Sequence, residues 1–176
     1  WQARPLYLLT LRLPFDWQLS NTDLDLNGAL TVKPTGVSLA GVNGYIDDAA
    51  FADLASSYGA DVQGRLRLDN VALSAGWDVQ PGTLDGQLSW SGGPVSVPFG
   101  NRRQTYEVPQ LQGQLHSDDS GWQAVIQAMD ATPLIEASLS RDGLGSLSVK
   151  RALAERLNLA IPAGRETLFD ITQQVL

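Results

Sequence analysis

The sequence predicts a mainly β fold: a curved, highly twisted antiparallel β-sheet, a meander or partly open roll. A short helix packs on its concave face, and helical turns follow at the C-terminus. Three observations predict this. Residues 61–90 alternate with a period of two: Val62, Gly64, Leu66 and Leu68 against Gln63, Arg65, Arg67 and Asp69, then Gly82, Leu84, Gly86, Leu88 and Trp90. Such alternation marks strands with one buried and one wet face. Similar runs recur along the chain, punctuated by turn signals such as Lys33-Pro34-Thr35-Gly36 and Ser91-Gly92-Gly93-Pro94. The composition agrees: 43% hydrophobic and only 18% charged, with 17 glycines, so Ser, Thr and Gln must supply much of the polar surface.

Residues 1–20 read as one long strand with Tyr7, Leu9, Leu11, Leu13, Phe15, Trp17 and Leu19 in phase. Pro14 interrupts it and suggests a bulge, a break or an edge position. Leu24, Leu26, Leu30 and Val32 form the next strand, in which Gly28 permits a bend or a close backbone approach. Val37 and Leu39 begin a third.

Asp47 or Asp48 can cap a helix whose stripe is Phe51, Leu54, Ala55 and Tyr58, with Gly59 as its stop. About three turns do not hold by themselves, so packing must hold them. In residues 61–90, Asp69-Asn70 offers a tight turn between two strands. GALTVKPTGVSL and GRLRLDNVALS then look like two hairpins of one kind, which means either a duplicated unit or a shared strand grammar.

Val95, Val97 and Phe99 make a short strand, residues 100–105 an exposed loop, and residues 106–115 a strand weakened by Pro109. Residues 116–121 turn the chain into a three-strand meander carrying Trp122, Ile126, Leu134, Leu139 and Leu144. Leu153, Leu157 and Ala160 sit at helical spacing, and Leu168, Ile171 and Val175 fit a second short helix. The 176 residues are read as a single β-rich domain, with a soft division into 1–90 and 91–176.

A net charge of -7 repels phosphate backbones, so nucleic acid is not an expected partner. No cysteine is present, which rules out disulfides, thiolate metal sites and a cysteine nucleophile. No stretch approaches the ~20 apolar residues of a membrane helix. The chain opens on Trp1 and not on Met, so the natural N-terminus is expected upstream of it, with room there for a targeting or membrane-anchoring segment.

No catalytic, cofactor-binding or metal site is expected. The single histidine, His116, falls in a predicted turn beside Asp118 and Asp119, short of a zinc set and without the spacing of a calcium cage. The acid pairs Asp23/Asp25 and Asp47/Asp48 face no second functional element, and G-x-S-x-G is absent. Among five tryptophans, Trp17, Trp90 and Trp122 share the phase of the leucines and read as core. Trp77, after Gly76 in a predicted loop or bulge, is the candidate exposed contact. Arg102 and Arg103 form a basic doublet suited to an acidic partner. Tyr7 and Leu8 belong to the opening strand, whose open edge could pair with a partner.

The opening Trp1 to Trp17, the helix AAFADLASSYG, the segment GRLRLDNVALS, the run Gly82-Thr83-Leu84-Asp85-Gly86-Gln87-Leu88-Ser89-Trp90 and the later PLIEASLSRDG together resemble the type II secretion system protein N family. The resemblance implies a periplasmic domain behind one inner-membrane helix in Gram-negative bacteria. It also implies an accessory, non-enzymatic role beside the inner-membrane platform of the secretion machine, with other secretion proteins as partners. It carries no catalytic or cofactor residue. A second expectation, from the residues alone, is a carrier of lipid or another hydrophobic ligand in a leucine-lined groove. A third is a sugar-binding module using Trp77 and a second ring.

Overall fold

In a computed structural model, residues 12–56, 61–78, 80–99, 102–157, 159 and 167–175 are described. They form thirteen strands and two short helices. The strands are β1 (Leu13–Ser20), β2 (Leu24–Lys33), β3 (Gly36–Ile46), β4 (Asp61–Val62), β5 (Leu66–Gly76), β6 (Pro81–Trp90), β7 (Gly93–Phe99), β8 (Arg102–Val108), β9 (Leu111–Ser117), β10 (Gly121–Ala128), β11 (Pro133–Ser140), β12 (Leu144–Lys150) and β13 (Thr167–Gln174). The helices are α1 (Asp48–Ser56), between β3 and β4, and α2 (Arg151–Arg156), after β12.

Ten strands make one antiparallel sheet in the order β1-β2-β3-β5-β6-β9-β10-β11-β12-β13, and β4-β7-β8 make a smaller one. The expected meander is thus present and open, interrupted by two excursions. Both leave the same end of the large sheet. Ile46 pairs with Leu66, Leu66 with Trp90 and Trp90 with Leu111, so the chain departs after Ile46 and after Trp90 and returns at Leu66 and Leu111.

Register explains why the alternation is so regular. One apolar row runs Leu68–Leu88–Gly113–Ile126–Ile135–Val149–Phe169 across seven strands. A second runs Phe15–Leu30–Leu39–Leu73–Leu84. A one-residue slip in any strand would turn its leucines to the other side, so one apolar face pins the register of the whole sheet. The opposite face is polar. Its hydroxyls pair across strands: Ser74 with Thr83 at 2.8 Å and Ser138 with Ser146 at 2.8 Å. The small sheet repeats the device with Ser96 and Thr105 at 2.7 Å.

Little of the apolar face is fully enclosed. Among the described apolar residues only Val42, Ala128, Leu134 and Ala154 are buried. Trp17, Trp90 and Trp122 lie in phase with the leucines as expected, but each is only half-buried. The Trp90 indole donates to the Gln63 carbonyl at 3.1 Å, and the Trp122 indole to the Gly82 carbonyl at 3.1 Å. Gly28 faces Trp17 across β1 and β2. A Cβ there would stand 3.1 Å from Val42 Cγ2 and 3.2 Å from the Trp17 ring, so this glycine is the close approach that the sequence predicts.

Several expectations are corrected. Asp69-Asn70 is not a turn: β5 runs straight through it, with a bulge between Asp69 and Ala72. Asn70 takes up the extra residue at a φ of 48°, and its N–H donates to Asn43 Oδ1 at 2.8 Å. Asparagine tolerates that backbone and so serves a bulge as well as a turn. GRLRLDNVALS is therefore a lead-in and one bulged strand, whereas GALTVKPTGVSL is a true hairpin, so the two are not copies of one unit.

The predicted 106–115 strand is two strands in different sheets, split at Pro109-Gln110. The predicted 100–105 loop is strand from Arg102 onward, paired to β7. His116 lies inside β9 opposite Gln123 and not in a turn.

The predicted second C-terminal helix is β13. Its helical stripe was coincidental: Phe169 and Ile171 sit opposite Val149 and Leu147 at a period of two. The open β12 edge and the β-branched Thr167, Ile171 and Thr172 favour a strand. The helix at Arg151 is real but shorter than its stripe, and Leu157 is its C-cap.

α1 forms over the expected residues, but it packs chiefly against β4 of the small sheet and not across the large one, while α2 packs on β11 and β12. The side chains of the α1 stripe and the segment 1–11 lie outside the described residues. Pro14 sits in β1, the end strand of the large sheet as described, which is the edge setting open to proline.

Candidate interaction surfaces

The residues singled out in the sequence do not converge. Trp77 follows β5 and is 60% exposed. Its indole N–H is shared by the Lys33 carbonyl at 3.2 Å and the Pro34 carbonyl at 2.9 Å, which clamps the ring against the β2–β3 turn. Arg102 and Arg103 open β8, exposed, opposite Phe99 and Pro98. The small sheet is rooted at the Leu66 end of β5, while Trp77 follows the other end, and a strand of this length spans about 30 Å. Tyr7 and Leu8 lie outside the described residues.

Two concavities flank the centre of the large sheet. On the polar face a groove of about 490 Å³ is lined by Asp69, Asn70, Asp85, Gln87, Gln114 and His116. It follows from register: Asp69 faces Gln87, Gln87 faces Gln114, and the β5 bulge presents Asn70. Period-2 alternation assigns Asp69, Asp85, Gln87, Gln114 and His116 to the polar face, but it supplies neither the bulge that turns Asn70 there nor the long-range pairing of β6 with β9. On the apolar face, Val62 of β4 and Val95 of β7 cover Leu66, Leu88, Trp90 and Leu111, leaving an apolar recess of about 250 Å³.

The predicted acidic turn at Asp118 is fully explained by its own hydrogen bonds. Asp118 Oδ1 accepts from the Ser120 N–H at 2.7 Å and the Ser120 hydroxyl at 2.5 Å, and Oδ2 accepts from Gln123 Nε2 at 2.7 Å. The Ser120 hydroxyl is the main reason that the Asp118 carboxyl lies below its ordinary pKa. Among the described residues no three His, Cys, Asp or Glu side chains cluster to hold a metal ion. The two aspartates at the start of α1 also bind outside the helix: Asp48 Oδ1 accepts from the Gly64 N–H at 2.7 Å, and Asp47 grips Arg65.

An open antiparallel sheet with one apolar face and two excursions is the class of protein these elements define, a mainly β protein with two short helices. The chain belongs to the type II secretion system protein N family, whose model matches residues 1–160, and it is therefore a component of type II protein secretion. No curated protein and no solved structure matches the chain. No helix among the described residues is long and apolar enough to cross a membrane.

Proposed function

We propose that the chain is a non-enzymatic scaffold of the type II secretion machine, acting on the periplasmic side of the inner membrane and binding inner-membrane platform components. The single observation that carries this reading is the family match over residues 1–160. The structure supports it by what it offers a partner. Leu13, Leu19, Leu147, Phe169 and Ile171 remain well exposed toward the ends of the large sheet, and exposed apolar patches are where proteins dock. Trp77 at one end and Arg102 and Arg103 at the other supply separate aromatic and cationic contacts of the kind that anchor interfaces.

In-cell crosslinking from Trp77, Arg102 and Arg103 tests this reading, with secretion measured in a strain lacking the gene. The expected result is capture of a platform component and loss of secretion. No capture, with secretion unaffected, overturns it.

A carrier of lipid or another hydrophobic ligand has one observation in its favour, the recess between the two sheets. At about 250 Å³ it falls short of the roughly 300–1,000 Å³ of ligand pockets, so the scaffold reading takes precedence.

A further inference from the structure

We propose that β13 is a pairing edge through which two copies of this chain join antiparallel, extending the ten-stranded sheet across a two-fold axis. This goes beyond the secretion reading and does not depend on it. A strand at a sheet edge points alternate N–H and C=O groups away from its neighbour, and natural edges are blunted with lysine, proline or an inward charge. Among the described residues, the two end strands of this sheet differ in that respect. β1 carries Pro14. β13, TLFDITQQ, has no proline and no basic residue, and its only charge is Asp170. Its start is bent by a register shift opposite Val149 and Lys150, so the regular part begins at Phe169.

A symmetric register that keeps the only carboxylate of β13 from facing its own copy is available. A two-fold axis through Ile171 sets Ile171 against its own copy, Phe169 against Gln173 and Asp170 against Thr172. An axis through Asp170 would set two carboxylates directly opposite, which is destabilising. The favoured register also joins the apolar faces. Leu147 pairs with Ile171 within one chain, and the row would continue through the second Ile171 to the second Leu147. These residues are 39% and 41% exposed in the single chain, and Phe169 is 50% exposed. The contact is isologous, so it closes at two copies and does not propagate. The occupant is thus a second copy of this chain, bound by main-chain hydrogen bonds along β13 and by a shared apolar row.

Sedimentation of the wild-type chain over a concentration series tests this. The expected result is a species of twice the 18.9 kDa chain mass that dissociates on dilution. Phe169→Lys with Ile171→Lys should leave a folded monomer, judged by unchanged circular dichroism. Because the natural chain has no cysteine, Ile171→Cys should give a symmetric disulfide dimer that Ser89→Cys, in the middle of the sheet, does not. Should Ile171→Cys fail to fold, Asp170→Cys mixed with Thr172→Cys should cross-link in preference to either alone. A wild-type chain that stays at its monomer mass at every concentration overturns the proposal. So does a lysine variant that dimerises as well as wild type.

Discussion

Arg65 holds both oxygens of the Asp47 carboxylate, Nε to Oδ1 at 2.5 Å and Nη2 to Oδ2 at 2.9 Å. Its guanidinium also lies 4.7 Å from the centre of the Tyr45 ring. The hydrogen bond that Arg65 donates to Asp47 is the main reason that the Arg65 pKa rises above its ordinary value. With Asp48 on the Gly64 N–H, this fork ties the start of α1 to the lead-in of β5. Arg65→Lys should therefore loosen the tie nearly as much as Arg65→Ala, since a lysine cannot make the planar two-point contact. The pair is solvent-exposed, so the stability change should be small and should fade in high salt. Hydrogen exchange of the α1 amides measures it: both variants should speed exchange there and leave β9 to β12 unchanged.

Arg156 makes a corresponding tie for α2. Its Nη2 donates to Asp130 Oδ2 at 2.5 Å, joining α2 to the β10–β11 turn. This bond, ahead of those from Thr132, lowers the Asp130 pKa to about 2. The folded value lies below the unfolded one of about 3.9. The contribution to stability is therefore present above about pH 4 and is lost as pH falls through 2. The denaturation midpoints of wild type and Arg156→Gln should differ at pH 6 and converge near pH 2. A gap that persists at pH 2 would mean the effect is not this carboxylate.

Leu134 is the one large side chain wholly removed from solvent among the described residues. Leu134→Ala should cost about 2–5 kcal/mol in chemical denaturation, the range for a buried leucine. Leu147→Ala, on the open part of the apolar face at 39% exposure, should cost far less. Equal losses would show that the open end is enclosed.

Two glycines of β3 should respond differently to alanine. At Gly44, with φ at 136°, a Cβ would lie 1.9 Å from the Asp25 carbonyl oxygen, with no flexible atom to yield. Strain of that kind costs about 3 kcal/mol or more, or prevents folding. At Gly41, with φ at 59°, the nearest atom is Asn70 Oδ1 at 4.0 Å, so only the left-handed backbone penalises alanine, by about 1 kcal/mol. Thermal or urea unfolding of both variants checks the order.

The strands were legible in the sequence because one continuous apolar face forces a period of two on nearly every segment. Leu84, Leu88 and Trp90, or Trp122 and Ile126, could hardly be read otherwise. Three errors share a local cause. Asn70 suits a bulge as well as a turn, Leu168, Ile171 and Val175 fit a helix as well as an edge strand, and a basic doublet such as Arg102-Arg103 opens a strand as readily as it sits in a loop. In each, the open hydrogen-bonding edge of a neighbouring strand made the choice, and short-range sequence does not report it. For the same reason the polar groove went unseen, since Asp69, Gln87 and Gln114 become neighbours only when β6 skips the β7–β8 hairpin to meet β9. Trp77 was legible as an exposed ring, but not its clamp on the Pro34 carbonyl, 43 residues distant.

That skip makes ten strands one sheet, and every surface described here depends on it. Ser89 and Gln112 are direct partners across β6 and β9. Antiparallel partners stand about 4.5–5.5 Å apart at Cα, within reach of a disulfide. In a chain otherwise free of cysteine, Ser89→Cys with Gln112→Cys should oxidise to an intramolecular disulfide, read by peptide mapping under non-reducing conditions, with the fold retained. A folded double variant whose two thiols stay free would contradict the single open sheet.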